Sequence, residues 1–368
     1  MKKESAMNAL TIVILTFSLL GALDWIIGNR FGLGAEFERG FYLFGAMALS
    51  MMGMIIIAPA LGVWLSPVFD GFYALFKIDP SVIPAMLFAN DMGGASLATE
   101  ITKSADIGGY NAFVISSMMG CVISFTIPFA SGIVNKAQHK DMFLGFLAGI
   151  VTIPIGSIVA GFISGLGFTE IIINLLPMLI LSAVIVLGLI YFPDTSVKIF
   201  QGFGFLIKVL IIIGLGLGIF TFLTHITVYS ELEELESAAL VCVNACVTLS
   251  GAFPLMFVAG KLLKRPMESL GKLLGINATS TLALIPTLVT NATAFGMMRD
   301  MDRRGVVINS AFAVSAAFVF GSHLAFTMAY DSSYVLPVII GKLVSGTAAV
   351  VLALLILKKN TKTAENTP

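Results

Sequence analysis

Charge is what this chain lacks most. Asp, Glu, Lys and Arg make up 11% of its 368 residues, less than half the share usual in a soluble domain, which excludes water as its main solvent. Its 21 basic and 21 acidic residues cancel to a formal net charge of zero, and the basic ones are scattered in loops. That excludes an electropositive nucleic-acid surface. Cysteine is equally scarce: Cys121, Cys242 and Cys246 fall in apolar segments and form no CxxC pair. A disulfide framework and a thiolate metal site are therefore excluded, and burial is their expected role. No GxxxxGK[ST] phosphate loop is present, nor an extramembrane stretch long enough for a nucleotide-binding domain, so transport driven directly by ATP hydrolysis is set aside. HExxH, GxSxG and His/Cys clusters are missing as well, so no catalytic residue, metal ligand or cofactor is assigned.

What is abundant is apolar sequence, 58% of the chain. Charge-free runs at residues 40–69, 142–169, 171–193 and 237–260 each exceed the roughly 20 residues that cross about 30 Å of hydrocarbon. The fold class predicted is all-α: a polytopic transmembrane helical bundle in a lipid bilayer, with about nine to eleven membrane segments. Continuous spans are expected at residues 8–27, 40–65, 110–134, 142–166, 170–192, 200–224, 237–262, 306–329 and 333–357. The first is read as a retained helix, because no small-residue cleavage site precedes the polar loop GNRFGLGAEFERG.

Two segments, residues 80–101 and 273–298, carry proline, small residues and Asn or Asp near their middles. They are expected to be interrupted or re-entrant helices, since irregular backbone at membrane depth persists only where protein or a cavity surrounds it. Their neighbours correspond in order: Ala48, Leu49 and Ser50 with Thr248, Leu249 and Ser250, then Ala112, Phe113 and Ser116 with Ala311, Phe312 and Ser315. A single membrane domain is expected, with repeat halves 8–166 and 200–357, a joining helix at 170–192 and a flexible cytoplasmic tail at 358–368. If residues 273–298 enter and leave on one side, Lys261, Lys264, Arg265, Lys272, Arg299, Arg303 and Arg304 all become cytoplasmic. Residues 80–101 then dip in from the opposite face, an inverted repeat of the kind transporters use. The same topology places Lys2 and Lys3 outside.

Asp91, in FANDMGGASLATE, is costly at membrane depth, about 3 kcal/mol on insertion scales. It either caps a half-helix at an interfacial hairpin tip or attracts a cation. Asn90 beside it and Asn291 in the second interrupted segment supply donors and acceptors suited to a hydroxyl-bearing ligand; Asn277 ranks behind Asn291. Lys342, about 15 Å into the last span at 1.5 Å per residue, is either an ion-pair partner of Asp91 or Glu100 or a built-in cation that exchanges partners with an incoming ammonium. His323, on the span with Asn309 and Ser315, reads as a packing residue or a proton relay. Asp24 and Lys208 are expected to cap or snorkel.

Long stretches of the chain resemble the EutH family of ethanolamine permeases from bacterial ethanolamine-utilisation systems. The resemblance rests on ERGFYLFGAMALSMMGMIIIAPAL (38–61), NDMGGASLATE (90–100), LAGIVTIPIGSIVAG (147–161), FGMMRDMDRRGVVINSAFAVSAAFVFGSHLAF (295–326) and IIGKLVSG (339–346). It implies a multi-pass protein of the bacterial cytoplasmic membrane that brings ethanolamine or a similar small amine inward. Asp24, Asp91, Glu100, Asn291, Asn309, His323 and Lys342 fall on matched positions. One departure stands out: the family pattern GDHLGF has an aspartate before the histidine, where this chain has Ser322. Either Asp91 alone meets the ammonium here, or the substrate differs.

The expected function is transport of a small protonated amine, by facilitated diffusion or ion-coupled alternating access. Substrate contacts are expected at Asp91, Asn90, Asn291, Asn309, Ser315, His323 and Glu100, with Lys342 as internal cation. Coupling to H+ or Na+ and assembly as a homo-oligomer are left open. The rivals are an ion-coupled symporter of another small polar solute, a membrane sensor or scaffold without transport and, last, an intramembrane enzyme.

Overall fold

The computed structural model describes residues 9–365; Lys2, Lys3 and residues 366–368 of the expected tail lie outside the described residues. Among the described residues every regular element is helical, as the need to satisfy backbone hydrogen bonds internally in lipid demands. In chain order they are α1 (Ala9–Ile26), α2 (Leu33–Phe76), α3 (Val82–Leu87), α4 (Gly94–Ile101), α5 (Ala105–Ile133), α6 (Lys136–Ile163) and α7 (Phe168–Tyr191). There follow α8 (Pro193–Thr224), α9 (Leu235–Leu274), α10 (Ala278–Thr287), α11 (Asn291–Met297), α12 (Arg303–Ala316), α13 (Ser322–Tyr330) and α14 (Val335–Glu365). Eight helices, α1, α2, α5 to α9 and α14, are long and apolar enough to cross a bilayer. Helix α14 runs on to Glu365. Asp24 closes the first loop, its carboxylate accepting from the backbone N–H groups of Phe31, Leu33 and Gly34 at 3.0, 2.8 and 2.9 Å.

Both expected interruptions are present. Residues 80–101 form a hairpin: α3 ends at Phe88 and Ala89 in extended backbone, a short turn carries Asn90 to Met92, and Gly93, at φ 103°, reverses the chain into α4. Only glycine adopts that φ without strain. The arms meet at their base, where Asp79 accepts from the N–H groups of Lys103 and Ser104 at 2.9 and 3.2 Å. The second hairpin is α10 and α11, separated at Thr290 in extended backbone. Its base is tied by Asn277, whose N–H donates to Asp302 Oδ1 at 2.9 Å and whose side chain donates to Asp300 O at 3.0 Å. The two bases lie at opposite ends of the bundle. Helix α5 starts beside the first base and crosses to residues 136–141, where Gln138 Nε2 donates to Met298 O (2.6 Å) and Arg303 pairs with Asp141 (2.9 Å) beside the second.

Two local forms depart from the sequence reading. The span expected at 306–329 is not continuous: α12 stops at Ala316, Phe318 takes a left-handed φ of 63°, and α13 restarts after Gly321. Apolar content alone conceals this break, because the freed backbone groups find partners on the second hairpin: Phe318 N donates to Thr287 O (3.3 Å) and Phe320 N to Leu288 O (2.8 Å). Helix α5 is wound as π-helix over Tyr110–Gly120 and Val122–Thr126. Widened turns of this kind concentrate at functional sites.

Helix α6 packs between α12 and α14 with small residues at the crossings. Gly145 and Gly149 face α12, and Gly156 lies against the backbone of Gly341. Close approach of this sort holds helices together where lipid provides no hydrophobic drive. Helices α1, α7, α8 and α14 are the most exposed spans, which leaves them to meet lipid around the rest of the bundle.

Candidate functional site

Three irregular segments converge at the middle of the bundle: the first hairpin's tip, the α12–α13 break and the π-wound stretch of α5. At their junction Asp91, His323 and Lys342 form a chain. Lys342 Nζ donates to Ser117 O at 2.5 Å and lies 3.2 Å from His323 Nδ1; His323 Nε2 lies 3.7 Å from Asp91 Oδ1. With the lysine charged, Nδ1 accepts, the ring hydrogen sits on Nε2, and that N–H faces the carboxylate. A separation of 3.7 Å exceeds a direct hydrogen bond. Lys342 and His323 are each 1% exposed, whereas the Asp91 side chain keeps 15% of its surface open. The carboxylate is thus the member of the chain that adjoins free space. The Ser322 side chain, at the start of α13, lies near it.

The expected ion pair of Lys342 with Asp91 or Glu100 is not formed. Among the described residues Lys342 contacts no carboxylate at ion-pair distance, because the imidazole of His323 stands between it and Asp91. His323 thus lies between the two charged groups. Phe318, held in its left-handed backbone by the α12–α13 break, lies against the ring with centroids 4.9 Å apart, and Phe125 meets Phe318 edge-on at 5.6 Å. Both sit where a cation would find an aromatic face.

Two fully buried asparagines flank the centre. Asn90 donates to Thr327 Oγ1 at 3.4 Å, and Thr327 in turn bonds His323 O at 2.7 Å. Asn291 donates to Thr126 Oγ1 at 3.2 Å, and Cys121 Sγ lies 3.7 Å from that hydroxyl. The carbonyl oxygens of both, Asn90 Oδ1 and Asn291 Oδ1, have no hydrogen-bond partner among the described residues. Buried acceptors left unpaired cost about 1–3 kcal/mol each, so a hydrogen-bond donor from outside the protein suits them.

Three expected contacts lie elsewhere. Glu100 is exposed at the end of α4, nearest Glu233; nine residues past Asp91, it has left the tip for the hairpin's base. Asn309 bonds the carbonyls of Ser280 and Gly305 (2.8 and 3.0 Å), joining α12 to the second hairpin. Ser315 accepts from Ser345 Oγ at 2.7 Å, joining α12 to α14. Ser315 and the amide N–H of Asn309 thus have partners on a neighbouring helix, which sequence cannot distinguish from a ligand, while Asn309 Oδ1 has no hydrogen-bond partner among the described residues. Sequence reasoning also missed Thr126 and Thr327, isolated hydroxyls in apolar helices, and Ser117, which acts through its backbone. Among the described residues no group of three or more His, Cys, Asp or Glu could hold a metal ion.

Fold and site together define a multi-pass helical membrane protein with opposed re-entrant hairpins and a buried, charged centre. The chain belongs to the EutH family: the family described as "Ethanolamine utilisation protein, EutH" matches residues 7–356. It is 40% identical over 360 residues to a probable ethanolamine permease EutH of Listeria monocytogenes, covering 96% of both chains. Similar relatives are an uncharacterized protein YxeR of Bacillus subtilis, at 38% over 93% of this chain and 92% of that one, and a probable ethanolamine permease EutH of Salmonella typhimurium, at 35% over 95% of both. No solved structure matches.

Proposed function

We propose that this protein carries ethanolamine, as the ammonium ion, across the cytoplasmic membrane of a bacterium by alternating access. The observation that carries the reading is Asp91: a carboxylate at the tip of a re-entrant hairpin, partly open to space, with the unpartnered acceptor of Asn90 next to it in sequence and that of Asn291 on the second hairpin. An ammonium pairs with the carboxylate, and its remaining hydrogens and the hydroxyl of ethanolamine bond the two amide oxygens. The relatives named as probable ethanolamine permeases support the choice of amine. With Ser322 at the position before His323, Asp91 is the single carboxylate of this centre among the described residues.

The entry assigned in this reading lies at the end of the bundle bearing the first hairpin's base. A cavity of about 410 Å³ there is walled by Phe113, Tyr330 and Tyr334, with Asp106 and Asp331 on its rim. Helices α4 and α13 run from this cavity to Asp91 and His323. Aromatic faces with carboxylates favour an alkylammonium over an anion.

In this reading Lys342 stands in for the substrate: when the amine leaves, the lysine charge, one imidazole away, neutralises Asp91 and lets the empty carrier reorient. The chain of titratable groups Asp91, His323 and Lys342 also favours a second reading, in which a proton moves along it in step with substrate. The deciding experiment is uptake of labelled ethanolamine into proteoliposomes at acidic pH, with and without an imposed proton gradient. Saturable uptake insensitive to the gradient supports facilitated diffusion, and gradient-driven accumulation supports coupling. Absence of uptake, with choline or amino acids taken up instead, would remove ethanolamine as substrate.

A further inference from the structure

A cavity of about 1280 Å³ lies far from Asp91, at the end of the bundle that bears the second hairpin's base, between the start of α6, the end of α7 and the start of α8. Its rim carries Lys136, Lys140, Lys198 and Arg303. Arg303 is held by Asp141 at 2.9 Å, and Asp194 adds a second carboxylate, so four cations face two carboxylates. Among the described residues Lys136, Lys140 and Lys198 form no ion pair. Below the rim the wall turns apolar, with Leu147, Leu189 and Val197. Leu147 lies eight residues into the helix from His139, about 12 Å deeper at the helical rise.

A cationic rim above an apolar wall, at a helix-end level, suits an amphiphile of negative charge. A soluble anion leaves the apolar wall unused, and an amine substrate is repelled by the lysines. This end of the bundle also carries Arg299 and Arg304 beside the second hairpin's base, a basic cluster that the positive-inside rule assigns to the cytoplasmic leaflet, where anionic lipids are attracted. We infer that the cavity binds an anionic phospholipid, its phosphate on Lys136, Lys140 and Lys198 and its acyl chain along Leu147, Leu189 and Val197. The lipid wedges the exposed pair α7 and α8 against α6, the helix on which α12 and α14 pack.

The test uses the full chain purified in neutral detergent and titrated with phosphatidylglycerol, phosphatidylcholine or inorganic phosphate, read by native mass spectrometry and thermal melting. Phosphatidylglycerol is expected to remain bound and raise the melting temperature, with the other two ineffective. The triple variant Lys136→Gln, Lys140→Gln, Lys198→Gln should weaken binding by about fivefold for each lysine removed, and Lys→Arg at the same positions should retain it. Should the triple variant not fold, Lys136→Gln and Lys198→Gln singly provide the same readout. Equal retention of phosphatidylcholine, or undiminished phosphatidylglycerol binding by the glutamine variants, overturns the proposal. An equal shift by inorganic phosphate replaces the lipid with a soluble anion and overturns it too. None of these readings depends on ethanolamine being transported.

Discussion

The two re-entrant hairpins are built alike and armed differently. Each base is closed by one aspartate: Asp79 accepts from the N–H groups of Ser81, Lys103 and Ser104 at 3.0, 2.9 and 3.2 Å. Asp302 accepts from Asn277 N, Ser280 Oγ and Gly305 N at 2.9, 2.7 and 3.2 Å. At the tips the likeness ends. The first hairpin presents a carboxylate, Asp91, beside an amide, and the second presents only the amide of Asn291. Under the proposed function, a shared scaffold with unequal tips gives charge recognition to one hairpin and hydrogen bonding to the other.

The largest effect expected of that inequality is at Asp91. Replacing Asp91 with Asn keeps the shape and removes the charge. Losing one partner of a buried charge pair is worth about 3 kcal/mol, or roughly a 100-fold fall in ethanolamine uptake, at unchanged abundance in the membrane. Uptake within a few fold of wild type would end the assignment. Lys342 tests the same centre from the other side. Lys342→Ala leaves Asp91 without its compensating charge and should destabilise the protein by about 3 kcal/mol, with Asp91→Asn in the same chain recovering most of it. The melting temperatures of the two single variants and the double variant measure the coupling. The lysine's proposed role in resetting the empty carrier adds a kinetic signature: Lys342→Ala should lose net uptake while retaining exchange of labelled for unlabelled ethanolamine. Equal loss of both would leave the lysine a structural role only.

Much of this arrangement was legible from sequence, and the illegible part has a common cause. Proline, small residues and mid-segment Asn or Asp marked both hairpins, because backbone breaks need those residues. Asp91 and Lys342 were visible as charges in apolar surroundings. The α12–α13 break was not, because FAVSAAFVFGSHLAF reads as continuous apolar helix and Phe318 gives no sign of a positive φ. Its freed N–H groups are satisfied by Thr287 O and Leu288 O, tertiary partners that periodicity does not register. Glu100, Asn309 and Ser315 sit apart from the Asp91 centre for the same reason: whether a polar group faces a cavity or a helix is decided by packing. That His323 separates Lys342 from Asp91 also follows from the break, which sets where α13 begins.

The likeness of the two bases is itself testable. Asp79→Ala and Asp302→Ala each orphan several donors at a hairpin's base, and each should lower stability by about 2 kcal/mol. Comparable drops in melting temperature support equivalent scaffolds. A drop confined to Asp302→Ala would mean that the first hairpin is held by its tip, through Asp91 and Asn90, and that the resemblance of the bases is superficial.

The smallest effect expected, and the one that sharpens the comparison most, is at Asn291. If the second hairpin contributes only a hydrogen bond to the solute, then Asn291→Ala costs about 1 kcal/mol of binding, a rise in KM of roughly fivefold with little change in kcat. Asn291→Asp is the informative companion. It keeps an acceptor at the tip and adds a second carboxylate to a centre in which Asp91, reached from Lys342 through His323, carries the negative charge. Tighter binding of a diamine such as ethylenediamine, with ethanolamine weakened, would show that both tips face one solute. Unchanged kinetics in both variants would place Asn291 outside the binding site and leave its unpaired carbonyl oxygen to the gap between the hairpin and Thr126.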